Sequence, residues 1–138
     1  MNEAALAAEK TAANRAVAER YADAWRAGDL TALRACYHPN FTLHYFGDHP
    51  LAGDHVGLAA ALATLAEVSR RTRRKLVRIL DVTAGPERAV VIAREAFERE
   101  GVVTELDRVL VYRIEADLLA ECWVYDGDQA LVDGFLRG

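Results

Sequence analysis

The stretch Ala89-Val-Val-Ile-Ala-Arg-Glu-Ala-Phe-Glu-Arg-Glu100, Gly101, Val102-Val-Thr-Glu-Leu-Asp-Arg-Val-Leu-Val-Tyr-Arg-Ile114 reads as two long runs of period two broken by one glycine. A break that short predicts antiparallel neighbours. Outward from this pair, Leu76–Val82 precedes across Gly85-Pro86, and Leu118–Tyr125 follows across Ala116-Asp117. Four consecutive strands result. The runs at 89–114 are long for a chain of 138 residues, so the sheet is expected to curve.

Upstream of Lys75 the period is helical. Glu3 to Ala27 is rich in Ala, Glu and Arg, with Val17, Tyr21, Ala24 and Trp25 on one stripe, and Gly28 stops it. Asp29 is placed to cap a short helix from Leu30 to Tyr37, which Pro39 closes. Phe41 to Phe46 reads as a strand and Gly47 to Gly53 as a loop. Asp54 is placed to cap a third helix, running to about Arg70, with Leu58, Leu62 and Leu65 as its buried stripe. Asp128 precedes a last short helix, Gln129 to Leu136. This order predicts an α+β fold over residues 1–138 as a single domain. A strongly curved antiparallel sheet, wrapped against three N-terminal helices, would form a cone, with a short C-terminal helix at the end. Such a cone encloses a natural pocket for a small apolar ligand.

Composition narrows the function. Hydrophobic residues make up 52% of the chain, which argues against disorder. A net charge of −4 gives no electrostatic case for nucleic acid. No apolar run approaches a membrane span, and the N-terminal residues lack the basic start and apolar centre of a signal peptide, so a cytoplasmic protein is expected. Cys36 and Cys122 lack metal or redox spacing and read as buried thiols. His38, His44, His49 and His55 lack the i, i+4 pattern of a zinc helix, and no metal is expected. The basic run Arg70, Arg71, Arg73, Arg74, Lys75 and Arg78 reads as a solvated helix end. With no phosphate loop or nucleophile elbow in the sequence, no cofactor is expected.

Three charges fall on otherwise apolar strand faces. Glu95 alternates with Val91, Ala93 and Phe97. Arg108 alternates with Leu106, Leu110, Tyr112 and Ile114, and Glu121 with Leu119, Trp123 and Tyr125. A lone buried charge costs several kcal/mol on an order-of-magnitude scale, so these groups must pair or reach water. They form either the polar floor of an apolar pocket, with one Glu as proton acceptor, or a closed structural ion-pair network.

Several motifs carry a family resemblance: Arg20-Tyr-Ala-Asp-Ala-Trp-Arg-Ala-Gly-Asp-Leu30, Phe41-Thr-Leu-His-Tyr-Phe-Gly47, Pro50-Leu-Ala-Gly53, Tyr112-Arg113, Glu121-Cys-Trp-Val-Tyr125 and Asp128-Gln129. The chain resembles the nuclear transport factor 2-like superfamily, and within it the SnoaL-like polyketide cyclase and ketosteroid isomerase branch. The resemblance implies a homodimer joined through the convex sheet face. It places the ketosteroid isomerase oxyanion-binding Tyr at Tyr21, the base Asp at or next to Tyr45, and the second, protonated Asp at Leu110. It matches the Arg of the limonene epoxide hydrolase relay at Arg108, whose following acid is again replaced by Leu110. The polyketide cyclase His also falls at Leu110, with Glu121 as the acid of the last strand. In the family the His44 strand lines the pocket mouth.

The expectation is therefore a cofactor-independent cyclase or isomerase acting on a polyketide- or terpenoid-like small molecule. Glu121, Glu95, Tyr21, Arg108 and His44 are its candidate catalytic residues. Trp25, Tyr45, Phe97, Leu110, Tyr112, Trp123 and Tyr125 are its candidate pocket walls. A non-catalytic dimeric binding or accessory module and an epoxide-opening hydrolase or cyclase are the alternatives.

Overall fold

The computed structural model describes residues 2–138. It contains four helices and one curved, unclosed sheet of six strands. Helix α1 spans Glu3–Ala27, with the Asn2 side chain accepting from the Ala5 amide at its start. Gly28, at φ 64°, sends its N–H back to the carbonyls of Ala24 and Trp25 and ends the helix. Helix α2 is Leu30–Ala35, capped by Asp29. Strands β1 (Tyr37–Tyr45) and β2 (Gly53–Val56) come before helix α3 (Leu58–Thr72). Strands β3 (Lys75–Ala84), β4 (Arg88–Arg99), β5 (Val102–Glu115) and β6 (Leu118–Asp126) form the meander. Helix α4 (Gln129–Arg137) follows its Asp128 cap.

The strand order is β2-β1-β6-β5-β4-β3. Every pairing is antiparallel except β1 with β6. Two register shifts between β3 and β4, at Leu76/Arg78 and Ile79/Asp81, add local twist where the sheet bends over α1.

Three expectations are corrected. The second helix ends at Ala35, and β1 starts at Tyr37 and runs through Pro39. The β1–β6 register slips between Tyr37 and Thr42, so Pro39 sits where the ladder is interrupted and its missing N–H costs little. Asp54 does not cap α3. It belongs to β2, a short edge strand unread in the sequence, and α3 begins after Gly57 (φ 94°) without a side-chain cap. The α3 residues buried on the sheet are Ala61, Thr64, Val68 and Thr72, while Leu58, Leu62 and Leu65 are only partly buried. Small side chains let the helix approach the sheet closely, and of the leucine stripe Leu62 and Leu65 border the groove between α2 and α3.

The core is continuous, from Val17, Ala18 and Tyr21 of α1 through the concave sheet face to Val132 and Leu136 of α4. Among the described residues, no helix is long and apolar enough to cross a membrane.

Candidate active site

The concave face and the first three helices enclose a cavity of about 260 Å³. Alternation selects its floor: Leu43 and Tyr45 on β1, Glu95 on β4, Arg108, Leu110 and Tyr112 on β5, and Cys122 and Val124 on β6. Tyr21 and Trp25 on α1, Leu33 on α2 and Leu65 on α3 close it from above. It opens toward an outer groove of about 720 Å³ between α2 and α3, and Leu30, Leu33, Tyr37, Leu65, Ser69 and Arg74 border both spaces.

Arg108 organises the polar end. Asp126 is its cross-strand partner on β6, which puts both side chains on one face. Arg108 Nε donates to Asp126 Oδ1 at 2.5 Å and Nη2 to Oδ2 at 3.3 Å. Nη1 donates to Glu95 Oε2 at 3.2 Å, and Nη2 to the Tyr45 hydroxyl at 2.7 Å. Arg108 and Glu95 are each only 2% exposed. Burial works to lower the Arg108 pKa, but Glu95, Tyr45 and Asp126 outweigh it and raise it, so the guanidinium stays charged. Arg74 Nη1 lies 3.6 Å from Glu95 Oε1. Glu95 therefore sits between two guanidiniums and borders the cavity. Asp126, whose side chain is fully enclosed, locks Arg108 from behind.

The apolar end carries phenols. Tyr21 packs edge-on against Tyr112 at 5.3 Å and Tyr37 at 6.1 Å, and tilts against Trp25 at 5.9 Å. Burial raises the pKa of Tyr21, Tyr37 and Tyr112, most strongly for the last two. Burial also raises that of Tyr45, against the opposing charge of Arg108. All four remain protonated near neutral pH, so each hydroxyl keeps a proton to donate, while the Tyr45 hydroxyl also accepts from Arg108. Burial likewise pushes the Cys122 thiol up to about 12, so it is inert as a nucleophile.

The structure thus brings together Tyr21, Trp25, Tyr45, Glu95, Arg108, Leu110 and Tyr112 around one cavity. It does not bring Glu121, His44, Trp123 and Tyr125 there. Those four lie on the opposite, convex sheet face, which corrects their expected placement. Alternation grouped Glu121, Trp123 and Tyr125 correctly but could not tell which side faces inward. A bulge at Ala120, where Arg113 pairs with Glu121 and Ile114 with Leu119, also separates Leu119 from that group and turns it into the core. Phe97 is on the concave side but outside the cavity lining, packed edge-on against Phe135 at 5.4 Å.

The sequence did not single out Tyr37 and Arg74, which border the cavity, or Asp126, which backs it through Arg108. Asp126 fell one residue past the expected strand end, although extending the alternation of Cys122 and Val124 would have found it. Tyr37 was read as helical. Arg74 was absorbed into the basic run. Arg70 and Arg71 do pair with Glu67 on α3, but Arg73 turns into the left-handed region (φ 49°) and redirects the chain so that Arg74 reaches the cavity.

The convex face carries its own cluster. His44 Nδ1 lies 2.7 Å from Asp54 Oδ1 and Nε2 lies 2.5 Å from Glu121 Oε2, while Arg113 Nε donates to Glu121 Oε1 at 2.8 Å. The His44 ring stacks on Trp123 at 5.0 Å, and Arg88 lies 4.0 Å above the same indole. Only the doubly protonated imidazole can donate to both carboxylates. Burial works to lower the His44 pKa, but hydrogen bonds to Asp54 and Glu121 outweigh it and raise it above 6.5. Burial works to raise that of Glu121, but Arg113 and His44 hold it below 4.5. The sign of the linkage follows. The His44 contribution to stability is complete below pH 6.5 and lost as pH rises through its raised value, and the Glu121 contribution is complete above pH 4.5 and lost as pH falls through its depressed value. Melting temperatures of the wild type should therefore decline on the alkaline side relative to His44→Gln. Parallel curves above neutral pH would refute this assignment.

The other histidines have local roles: the His49 ring contacts the Phe46 carbonyl and accepts from the Leu51 amide, and His55 contacts the Leu51 carbonyl and Thr64. Among the described residues, no group of three His, Cys, Asp or Glu side chains is arranged to hold a metal ion.

Known structures share this architecture. Bal32a, from a soil-derived mobile gene cassette, superposes with a TM-score of 0.81 at 24% identity, over 93% of this chain and 99% of that one. TerC, co-crystallised with polyporic acid, gives 0.75 at 16% identity over 91% and 99%. A protein from Jannaschia sp. CCS1, assigned as a SnoaL-like polyketide cyclase, gives 0.71 at 18% identity over 92% of each chain. At these identities the likeness is one of fold. No curated protein matches the sequence. The SnoaL-like domain profile matches residues 18–122, a span that runs from Ala18 beside Tyr21 to the cavity-lining Cys122, and on this match the chain belongs to the SnoaL-like family of the nuclear transport factor 2-like superfamily.

Proposed function

We propose that the protein is a cofactor-independent cyclase or isomerase using general acid–base chemistry on a small, largely apolar carbonyl metabolite of polyketide or terpenoid type. The observation that carries this reading is a buried carboxylate, Glu95, bordering an apolar cavity whose other walls hold protonated phenols. Glu95 removes a proton from the carbon next to a carbonyl. The C–H electron pair moves into an enolate, and the developing oxyanion accepts a hydrogen bond from Tyr21. In isomerisation Glu95 returns the proton to a different carbon. In cyclisation the enolate carbon attacks a second carbonyl, whose oxygen then takes the proton. Membership in the SnoaL-like family, with fold neighbours assigned as polyketide cyclases, supports the reaction class. A homodimer through the convex sheet face, where Phe46 and Tyr125 leave apolar surface exposed, belongs to the same reading.

One observation favours a second reading, epoxide opening: Arg108 bridges two carboxylates, Glu95 and Asp126. Of these only Glu95 borders the cavity, which ranks this reading second. Incubation in deuterated buffer with a panel of 1,3-dicarbonyl, enone and epoxide compounds separates them. Deuterium exchange at the carbon next to a carbonyl, above the buffer rate and diminished in Tyr21→Phe, is the expected result. Diol formation without carbonyl exchange would assign the second reading instead.

A further inference from the structure

Among the cations of the described residues, Arg74 differs from the others in where it stands. It borders both the enclosed cavity and the outer groove, at the point where one opens into the other. Its side chain is four-fifths buried. The guanidinium is held from the α3 side: Nε donates to Ser69 Oγ at 2.9 Å, and Nη2 makes a long contact of 3.5 Å to the Leu65 carbonyl. Nη1 has no hydrogen-bond acceptor among the described residues, and its nearest anion is Glu95 Oε1 at 3.6 Å. Arg108 is the contrast, since all three of its nitrogens donate to Asp126, Glu95 or Tyr45. No buried side-chain nitrogen or oxygen among the described residues lacks a partner, so this Nη1 is open to the cavity mouth, and an anionic oxygen there would accept charge-assisted hydrogen bonds from it.

The enclosed space is close to the volume of roughly nine liquid waters, so a compact one- or two-ring body fills it. Trp25, Leu33, Tyr37 and Leu65 supply apolar wall around that body. We propose that the ligand of this cavity is an organic acid: an apolar ring body in the enclosed space, with one ionised oxygen group, a carboxylate or the enolate of an acidic 1,3-dicarbonyl, held by Arg74 at the mouth. Arg74 is thus a specificity-determining binding residue. The inference rests on the reading of this cavity as the substrate site and names the class of substrate it takes.

Binding of naphthalene-2-carboxylate and of its neutral isostere naphthalene-2-carboxamide, followed by calorimetry and by Trp25 fluorescence, tests it. The carboxylate should bind about ten- to hundredfold more tightly than the amide, the range that one charged hydrogen-bonded contact supplies. Arg74→Gln should erase that preference while keeping the amide affinity, and Arg74→Lys should restore part of it. Equal affinity of the two probes for the wild type, binding of neither, or a preference that survives in Arg74→Gln would each overturn the proposal. The 1,3-dicarbonyl acid dimedone, titrated in the same way, should bind the wild type more tightly than Arg74→Gln, and equal affinity for the two proteins would overturn the enolate as a ligand group. Glu95→Gln separates this inference from the catalytic reading. If Glu95→Gln keeps the carboxylate preference and the wild type shows no carbonyl exchange, only the catalytic reading falls. If exchange occurs without a preference, only the Arg74 inference falls.

Discussion

Glu95→Gln is expected to lower turnover of a carbonyl substrate by about 10²- to 10⁴-fold, the range associated with loss of a general base. Gln keeps the shape and the contact to Arg108 Nη1 but cannot accept a proton under working conditions. The folded state should persist, because Arg108 retains Asp126 at 2.5 Å and Tyr45 at 2.7 Å. The paired control is Glu121→Gln. Glu121 lies on the convex face between His44 and Arg113, with the sheet between it and the cavity, so its replacement should leave turnover unchanged and alter only the pH dependence of melting. Exchange rates for both variants, read beside their melting curves, decide the matter. A strong loss in Glu121→Gln with near-normal exchange in Glu95→Gln would reverse the assignment of the base.

Arg108→Met is the change expected to harm stability most. It removes the cation that touches both enclosed carboxylates, Glu95 and Asp126, and among the described residues leaves Asp126 without an ion-pair partner. Breaking a buried pair from one side costs about 3–5 kcal/mol, because the remaining charge is left uncompensated. For a domain of this size that corresponds to a fall in melting temperature on the order of 10–20 °C. The loss should ease in the triple variant Arg108→Met, Glu95→Gln, Asp126→Asn, which carries no stranded charge. A single variant as stable as the wild type at neutral pH would show that the network contributes nothing to folding. Thermal denaturation followed by circular dichroism provides the measurement.

Both expectations depend on distinctions that strand periodicity leaves open. Glu95 and Arg108 were legible as lone charges on apolar faces because β4 and β5 alternate without interruption, and Ala93 pairs with Arg108 in an unbroken register. Glu121 had the same pattern and a different fate. On β6 the inward positions went to Cys122 and Val124, whereas the larger Trp123 and Tyr125 cover the convex side. A period of two fixes which residues share a face, and only packing against α1 and α3 determines which face is inside. Arg74 was unreadable for another reason. Its neighbours in the basic run are solvated or paired along α3, and its own direction follows from a left-handed turn at Arg73, a residue type that gives no hint of that conformation.

The sequence by itself determined the order of the four helices and of five of the six strands, the bounds of α1 and the four-strand meander to within a residue or two, and the α+β class. These follow from local quantities: hydrophobic period, caps such as Asp29 and Asp128, and turn residues such as Gly28 and Gly101. Tertiary structure alone decided the inward side of β6, the edge strand β2 that claims Asp54, the lock of Asp126 on Arg108, and the arrival of Arg74 at the cavity mouth. Each of these joins residues far apart in the chain through the curvature of one sheet, and curvature is set by the packing of the whole rather than by any single segment.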